Sequence, residues 1–291
     1  MEELRGKVAV ITGSASGIGL GLAERAAREG MRVVLADIEA DALAKAADQI
    51  RGLGAATLAK VTDVRHQADL DALAEAAYAE FGAVHLLCNN AGVVHRERNS
   101  WEFEQRDWDW VFDVNVWGVV NGLRAFVPRM LAGGEQGHVV NTASMAGLVT
   151  GGLGTAIYDA SKHAVLSLSE SLYKDLAATT SRISASVLCP GAVATNIFSA
   201  ERNRPAEYGE SSGPQPYSRV DSPTIGGTSK TPAEMADAVF EAVAAKRFYV
   251  LAAQDIMYEW TKMGQDRMWE GRNPAVPRRL IAEREARETA G

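Results

Sequence analysis

Cysteine is nearly absent: 291 residues carry two, Cys88 and Cys189, each in an apolar run just before a glycine-containing turn. Two such thiols exclude a disulfide framework and are expected to be buried and reduced. Neither has a histidine or a second cysteine at a metal-ligand spacing, so no metal site is expected. Long hydrophobic runs are also missing. None approaches the ~20 residues of a membrane span, and Met1-Glu2-Glu3-Leu4-Arg5 has no signal-peptide pattern. The expectation is a cytoplasmic protein with no membrane partner. Positive charge is in deficit, with 30 Lys and Arg against 37 Asp and Glu and a formal charge of −7, which argues against a broad nucleic-acid surface. There is no break in composition that would force two domains. With 47% hydrophobic and 23% charged residues, the chain reads as one globular α/β unit.

What is present starts with a short β-branched run, Lys7 to Thr12, followed by Gly13-Ser14-Ala15-Ser16-Gly17-Ile18-Gly19 and a helical pattern through Leu20, Leu22, Ala23, Ala26 and Ala27. Glycines permit a tight turn and close backbone approach, and the N–H groups opening the helix can receive a pyrophosphate. A second strand, Arg32 to Ala36, ends at Asp37, 18 positions beyond Gly19 (37 − 19). An acidic side chain at this offset can accept hydrogen bonds from both hydroxyls of an adenosine ribose and repels a 2′-phosphate, which predicts NAD as the cofactor. Neither the glycine loop nor Ile38 supplies a cation for such a phosphate.

Helix and strand then alternate: a helix over 41–53, a strand over 56–61 followed by Asp63, a helix over 67–81, and a strand over 84–88 running into Asn89-Asn90-Ala91-Gly92. Such alternation implies parallel strands joined by crossover helices, with ligands beyond the carboxyl ends of the strands. One long helix is expected over 105–131, containing Asn115 and with Trp108, Trp110 and Trp117 mainly in the core. His95 either borders a pocket or lies in a surface loop, the latter being expected. Asp107 and Asp109 read as charges at a helix start.

Asn141-Thr142-Ala143-Ser144 closes the next strand, and Tyr158-Asp159-Ala160-Ser161-Lys162 opens a helix. The i, i+4 spacing places the Tyr158 phenol and the Lys162 ammonium on one face. An adjacent ammonium favours the phenolate and lowers the tyrosine pKa, while a hydroxyl from Ser144 can hold a substrate oxygen. His163 points off that face. A final strand is expected over 247–251.

Taken together, Thr12-Gly13-x-x-x-Gly17-x-Gly19, Asp63, Asn89-Asn90-Ala91-Gly92, Asn115, Ser144, Tyr158-x-x-x-Lys162 and Pro190-Gly191 with Thr195 resemble the short-chain dehydrogenase/reductase family from about Gly6 to Leu251. The resemblance implies a single doubly wound (Rossmann) parallel sheet with helices on both faces. It also implies Tyr158 as general acid/base, Ser144 positioning the substrate oxygen, Lys162 on the nicotinamide ribose, and Asn115 holding a water in a proton relay. Cofactor contacts are then expected from Gly13, Ser16, Gly17, Ile18, Gly19, Asp37, Asp63, Val64, Asn90, Ala91, Gly92, Tyr158, Lys162, Pro190, Gly191, Val193 and Thr195. The activity implied is hydride transfer between NAD and a secondary alcohol or ketone. The alternatives are an NADP-linked ketone reductase or a non-catalytic NAD(H) sensor; an epimerase or dehydratase usually has a larger carboxyl-terminal domain. A homotetramer or dimer is implied as well.

Residues 1–253 are expected to form the dinucleotide-binding and catalytic domain, with a substrate lid at 196–230, and residues 254–291 a helical extension. Met145, Leu148, Leu153, Phe198 and Val94 are expected to make the pocket apolar, suited to a hydrophobic or aromatic substrate. Asn196 to Gly209, with Arg204-Pro205 and Tyr208-Gly209, is more weakly similar to dehydrogenases of the benzylic alcohol in lignin-type aryl ethers. Met257, Trp260, Met263, Met268 and Trp269 are expected to pack an amphipathic helix on the body or on a neighbour.

Overall fold

A computed structural model describes residues 3–95, 98–150, 154–209, 229–276 and residue 288. The first half runs β1 (Val8–Thr12), α1 (Gly17–Arg28), β2 (Arg32–Asp37), α2 (Ala40–Gly52), β3 (Thr57–Val61), α3 (Gln67–Phe81), β4 (Leu86–Asn89) and α4 (Gln105–Phe112). It continues through a π turn (Asp113–Trp117) into α5 (Gly118–Gly133), β5 (Gly137–Thr142), α6 (Ala156–Thr179) and β6 (Ile183–Pro190). Two 3₁₀ segments follow, Ile197–Asn203 and Ala206–Tyr208, before α7 (Pro232–Ala245), β7 (Tyr249–Ala252) and α8 (Asp255–Trp269).

The strands are parallel throughout and lie in the order β3-β2-β1-β4-β5-β6-β7. Period-2 alternation divides their side chains between two cores. Ala9 and Ile11 of β1 pack with Leu22 of α1, Ile50 of α2 and Phe240 of α7. Val8 and Val10 pack with Leu70 and Leu73 of α3 and with Phe126 of α5. With both faces covered, the central strands have no need for polar residues, hence the continuous apolar runs in the sequence. Strand order reverses between β1 and β4, and the crevice beyond their carboxyl ends is where such a sheet receives a ligand.

Three expectations are corrected. The helix over 105–131 is interrupted by the π turn, in which the Gly118 N–H reaches back to the Asp113 carbonyl; one extra residue shifts the apolar face by only ~100°, which periodicity does not register. The last strand starts at Tyr249, because Lys246 takes a left-handed conformation (φ 52°) to end α7. On α8, Met257 packs inward, but Met263, Met268 and Trp269 are exposed, Trp269 at 84%. The face that meets the body carries Met257, Thr261 and Gly264, at i, i+4 and i+7, where Gly264 lies against Val149. Among the described residues, no helix is long and apolar enough to cross a membrane.

Asn89 at the end of β4 donates to Asn141 Oδ1 (2.9 Å), whose amide donates to Ser169 Oγ (3.0 Å). Gly122 of α5 packs directly on this buried chain, and a Cβ there would lie 2.1 Å from Asn89 Oδ1. Gly122→Ala is expected to cost about 1–3 kcal/mol, seen as a lower urea midpoint at unchanged m. Wild-type stability in this variant would mean that the asparagine chain yields freely.

Candidate active site

Turn geometry brings the glycine loop to the crevice. Gly13 (φ 64°) and Gly17 (φ 55°) occupy the left-handed region, which only glycine adopts without strain. A Cβ on Gly19 would lie 2.0 Å from the Gly13 carbonyl oxygen, and one on Gly13 would lie 2.8 Å from Ala91 Cα. Ser16 is the N-cap of α1 but makes no side-chain capping bond. The helix start therefore presents backbone N–H groups and a serine hydroxyl to the cleft, a fit for a pyrophosphate. Thr12 Oγ1 accepts from the N–H groups of Asn90 (3.0 Å) and Ala91 (3.1 Å), and the Asn90 amide donates to the Thr12 carbonyl (3.0 Å). These bonds hold the loops after β1 and β4 together at the switch point.

Asp37 ends β2 with its carboxylate accepting from Ala15 N (2.9 Å) and Glu39 N (3.0 Å). Burial raises its pKa, and the backbone bonds only partly offset this. Asp63 lines the same cleft, but its carboxylate is gripped by the Arg65 guanidinium at 2.6 and 3.0 Å.

The opposite end of the cleft gathers the α6 face. Tyr158 and Lys162 both line it, with the ammonium 5.7 Å from the ring centroid and donating to the Thr142 carbonyl at 3.0 Å. Ser144 follows β5; its Oγ caps a short 3₁₀ turn through Ala146 N (3.1 Å) and lies close enough to the Tyr158 phenol to influence its proton. Desolvation pushes the Tyr158 phenol up to about 12 against the lowering influence of the Ser144 hydroxyl, and lowers Lys162 to about 8. The ligand-free pair is thus dominated by burial, which opposes the lowering of Tyr158 expected from an adjacent ammonium. Asn115, in the π turn, is fully buried. Its Oδ1 accepts from Val93 N (2.8 Å), and its Nδ2 donates to the Val93 carbonyl and to Ser161 Oγ, both at 3.0 Å. Ser161 in turn donates to the Tyr158 carbonyl (2.7 Å), so Asn115 braces the first turn of α6. Gly92 has no side chain to intrude here; a Cβ would lie 3.3 Å from both Asn115 Oδ1 and Lys162 Nζ.

A family model described as short chain dehydrogenase matches residues 7–206. The chain belongs to the short chain dehydrogenase family. It is 38% identical to 1-deoxy-11-beta-hydroxypentalenate dehydrogenase of Streptomyces avermitilis, over 94% of this chain and 97% of that protein. It is 37% identical to the C alpha-dehydrogenase of a Sphingobium species, over 72% of this chain and 68% of the relative. Among solved structures it is similar to a short chain dehydrogenase/reductase from Burkholderia phymatum in complex with NAD, at 42% identity and a TM-score of 0.87 over 95% of this chain and 99% of that one. The protein is therefore an oxidoreductase that uses a nicotinamide cofactor and acts on a small molecule.

Within this short chain dehydrogenase, Gly13, Ser16, Gly17, Ile18, Asp37, Asp63, Val64, Asn90, Ala91, Gly92, Tyr158, Lys162, Pro190 and Thr195 all line one cleft. Gly19 sits behind the loop against Gly13, Gly191 packs under Gln254 and Met257, and Val193 lies in the core beside α1 and α7. The apolar wall differs from expectation. Met145 is buried with Val119 and Val165, and Leu153 lies outside the described residues. Val93, Trp110, Val114, Ile197 and Ala200 border the cleft instead. Trp110 does so while remaining core-buried.

His95 is neither surface nor pocket. It is buried beside Asp107 (3.1 Å) and Arg204 (2.9 Å), and Arg204 also bonds Asp107 (2.7 Å) and lies over the Trp110 ring. Burial on its own would raise the Asp107 carboxyl, but the bond from Arg204 holds it below the ordinary range. Asp107 also closes the capping box of α4 with Glu104, as the reading of a helix-start charge requires. Sequence reasoning named Thr12, Ser161 and Arg204 only as members of motifs, without these contacts, and missed Arg65, two positions beyond Asp63.

Lys162 is 3% exposed, and among the described residues no carboxylate pairs with it. Between pH 8 and 10.5 the unfolded chain keeps a proton that the folded chain has released. The contribution of this residue to stability therefore rises with pH through that window, and the burial penalty is full below it. Lys162→Met is expected to make the ligand-free protein more stable at pH 7 by on the order of 2–3 kcal/mol, with the gain shrinking towards pH 10. Denaturant titrations across that range check this, and a less stable variant at pH 7 would refute the unpaired-ammonium account.

Proposed function

We propose that this short chain dehydrogenase transfers a hydride between NAD and a secondary alcohol or its ketone with a hydrophobic or aromatic body, with Tyr158 as general acid/base. The observation that carries the reading is one cleft lined by Asp37, Tyr158 and Lys162, with Ser144 just beyond the lining residues Thr142 and Ala143 and Asn115 bracing α6 through Ser161. The nicotinamide supplies the hydride chemistry when bound. Gly13, Ser16, Gly17, Ile18 and the start of α1 would hold its pyrophosphate, and Asp37 the adenosine ribose, with Asp63 and Val64 beside the adenine. Pro190 and Thr195, which line the cleft, would border the nicotinamide, and Lys162 would meet its ribose.

For the chain itself the task is one proton and one orientation. Ser144 Oγ fixes the substrate oxygen next to the Tyr158 hydroxyl. In the reducing direction the protonated phenol, favoured by burial, donates to that oxygen; in oxidation the phenolate removes the hydroxyl proton, and the Lys162 ammonium over its ring favours that form. Val93, Trp110, Val114, Ile197 and Ala200 would pack the body of the substrate. Relatives named as dehydrogenases of a hydroxypentalenate and of a Cα position are consistent with a bulky secondary alcohol.

Tyr158→Phe is expected to lower turnover by about 10²–10⁴ while leaving NAD binding intact, measured by NADH absorbance on a panel of secondary alcohols and ketones. Wild-type turnover in that variant would sink the assignment. Asp37→Ala should weaken NAD more than NADP in equilibrium titration, and equal losses would remove Asp37 from its role.

A further inference from the structure

The corner of the cleft at the end of β2 holds a cation that the glycine loop and residue 38 do not supply. Arg202, carried by the 3₁₀ segment Ile197–Asn203, lines the cleft together with Asp37, Glu39 and Asn203. Its guanidinium donates from Nη2 to Glu39 Oε1 (2.5 Å) and from Nε to Glu39 Oε2 (3.4 Å). Nη1 donates to the carbonyls of Ser199 (2.8 Å) and Asn196 (3.3 Å), and Asn203 Nδ2 adds a bond to Glu39 Oε1 (2.9 Å). The other arginine lining the cleft, Arg65, is taken by Asp63 and Glu207.

A guanidinium is the side chain best shaped to grip a phosphate, through its planar fork of N–H donors. Here the fork is committed to Glu39, and the corner carries two carboxylates against one cation. A 2′-phosphate arriving there meets two negative charges and an arginine already in use. The Glu39–Arg202 pair is partly exposed, at 30% and 37%, so it is open to competition and to screening by salt.

Resting on the NAD reading above, we propose that Glu39 sets nucleotide choice jointly with Asp37, by holding Arg202 in an ion pair that denies the guanidinium to a 2′-phosphate. Glu39 makes no side-chain capping bond to α2, so its charge can be removed without uncapping the helix. Preference for NAD thus depends on a contact between residues 163 positions apart, brought together by the segment after Thr195.

The test measures dissociation constants for NAD and NADP on the full chain by isothermal titration, in the wild type, Glu39→Gln and the double variant Glu39→Gln/Arg202→Gln. The wild type is expected to favour NAD. Glu39→Gln should lower the ratio of the NADP to the NAD constant by about tenfold, and the double variant should restore most of it, with the gain fading as salt rises. A wild type that binds NADP as tightly as NAD overturns the NAD reading itself. With that preference intact, an unchanged ratio in Glu39→Gln overturns the role of Glu39 alone, and a ratio that stays low in the double variant shows that Arg202 is not the phosphate receptor.

Discussion

The buried amide of Asn115 is the contact on which the Tyr158–Lys162 end of the cleft depends. A side-chain amide sealed from water must place its donors and its acceptor on partners, since each group left open costs about 1–3 kcal/mol. Asn115 does so on two elements at once, the Val93 backbone that continues from β4 and Ser161 on α6. The π turn aims it there. Without that extra residue the helix would continue in register and carry the amide about 100° around its axis, away from both partners. Gly92 completes the arrangement by leaving room for both side chains, since a Cβ there would lie 3.3 Å from Asn115 Oδ1 and from Lys162 Nζ.

The segment after Thr195 is held by two contacts of different character. Its inner anchor is Arg204, whose side chain is 4% exposed and which sits on Trp110 between Asp107 and His95. A buried ion pair of this kind gains little over an apolar core but is costly to break, so it behaves as a fixed point. Nearby, Tyr208 donates to Asp113, the first residue of the π turn, while Arg65 lies over its ring. The segment therefore touches the same turn that carries Asn115. The outer contact, Arg202 on Glu39, is half in water and correspondingly weak. One end of the segment is firm where substrate chemistry is proposed, and the other yields at the corner beyond β2.

Much of this was legible in the sequence because the nucleotide half is built from local pieces. The Gly13–Gly19 loop, Asp37 and the Tyr158–Lys162 spacing are short-range patterns, each set by the turn or helix that contains it, and the alternating elements led directly to the parallel sheet. What escaped was long-range or masked by periodicity. The π turn hides inside an otherwise ordinary helical pattern. Nothing local reveals that Arg202 will meet Glu39, 163 positions away. His95 reads as a loop residue because its partner Arg204 lies 109 positions away. Met145 looked like a pocket wall because it follows Ser144, but the 3₁₀ turn that Ser144 caps directs it into the core.

The pairing of β1 with β4 carries a consequence for how the protein is assembled. These strands meet at the switch point, yet the Val8 N–H finds its partner on His85, 77 positions along the chain. Everything between must be threaded through three crossovers before that contact closes, the kind of non-local topology that folds slowly. The glycine loop and the Asn90 turn face each other only once it has closed, so a dinucleotide has nothing to bind on the nascent half-sheet. Ligand in the surrounding solution would then act on the completed molecule alone, drawing the equilibrium towards the native state by mass action. The concentration of nucleotide around it becomes in this way a term in the stability of the folded enzyme as well as in its rate.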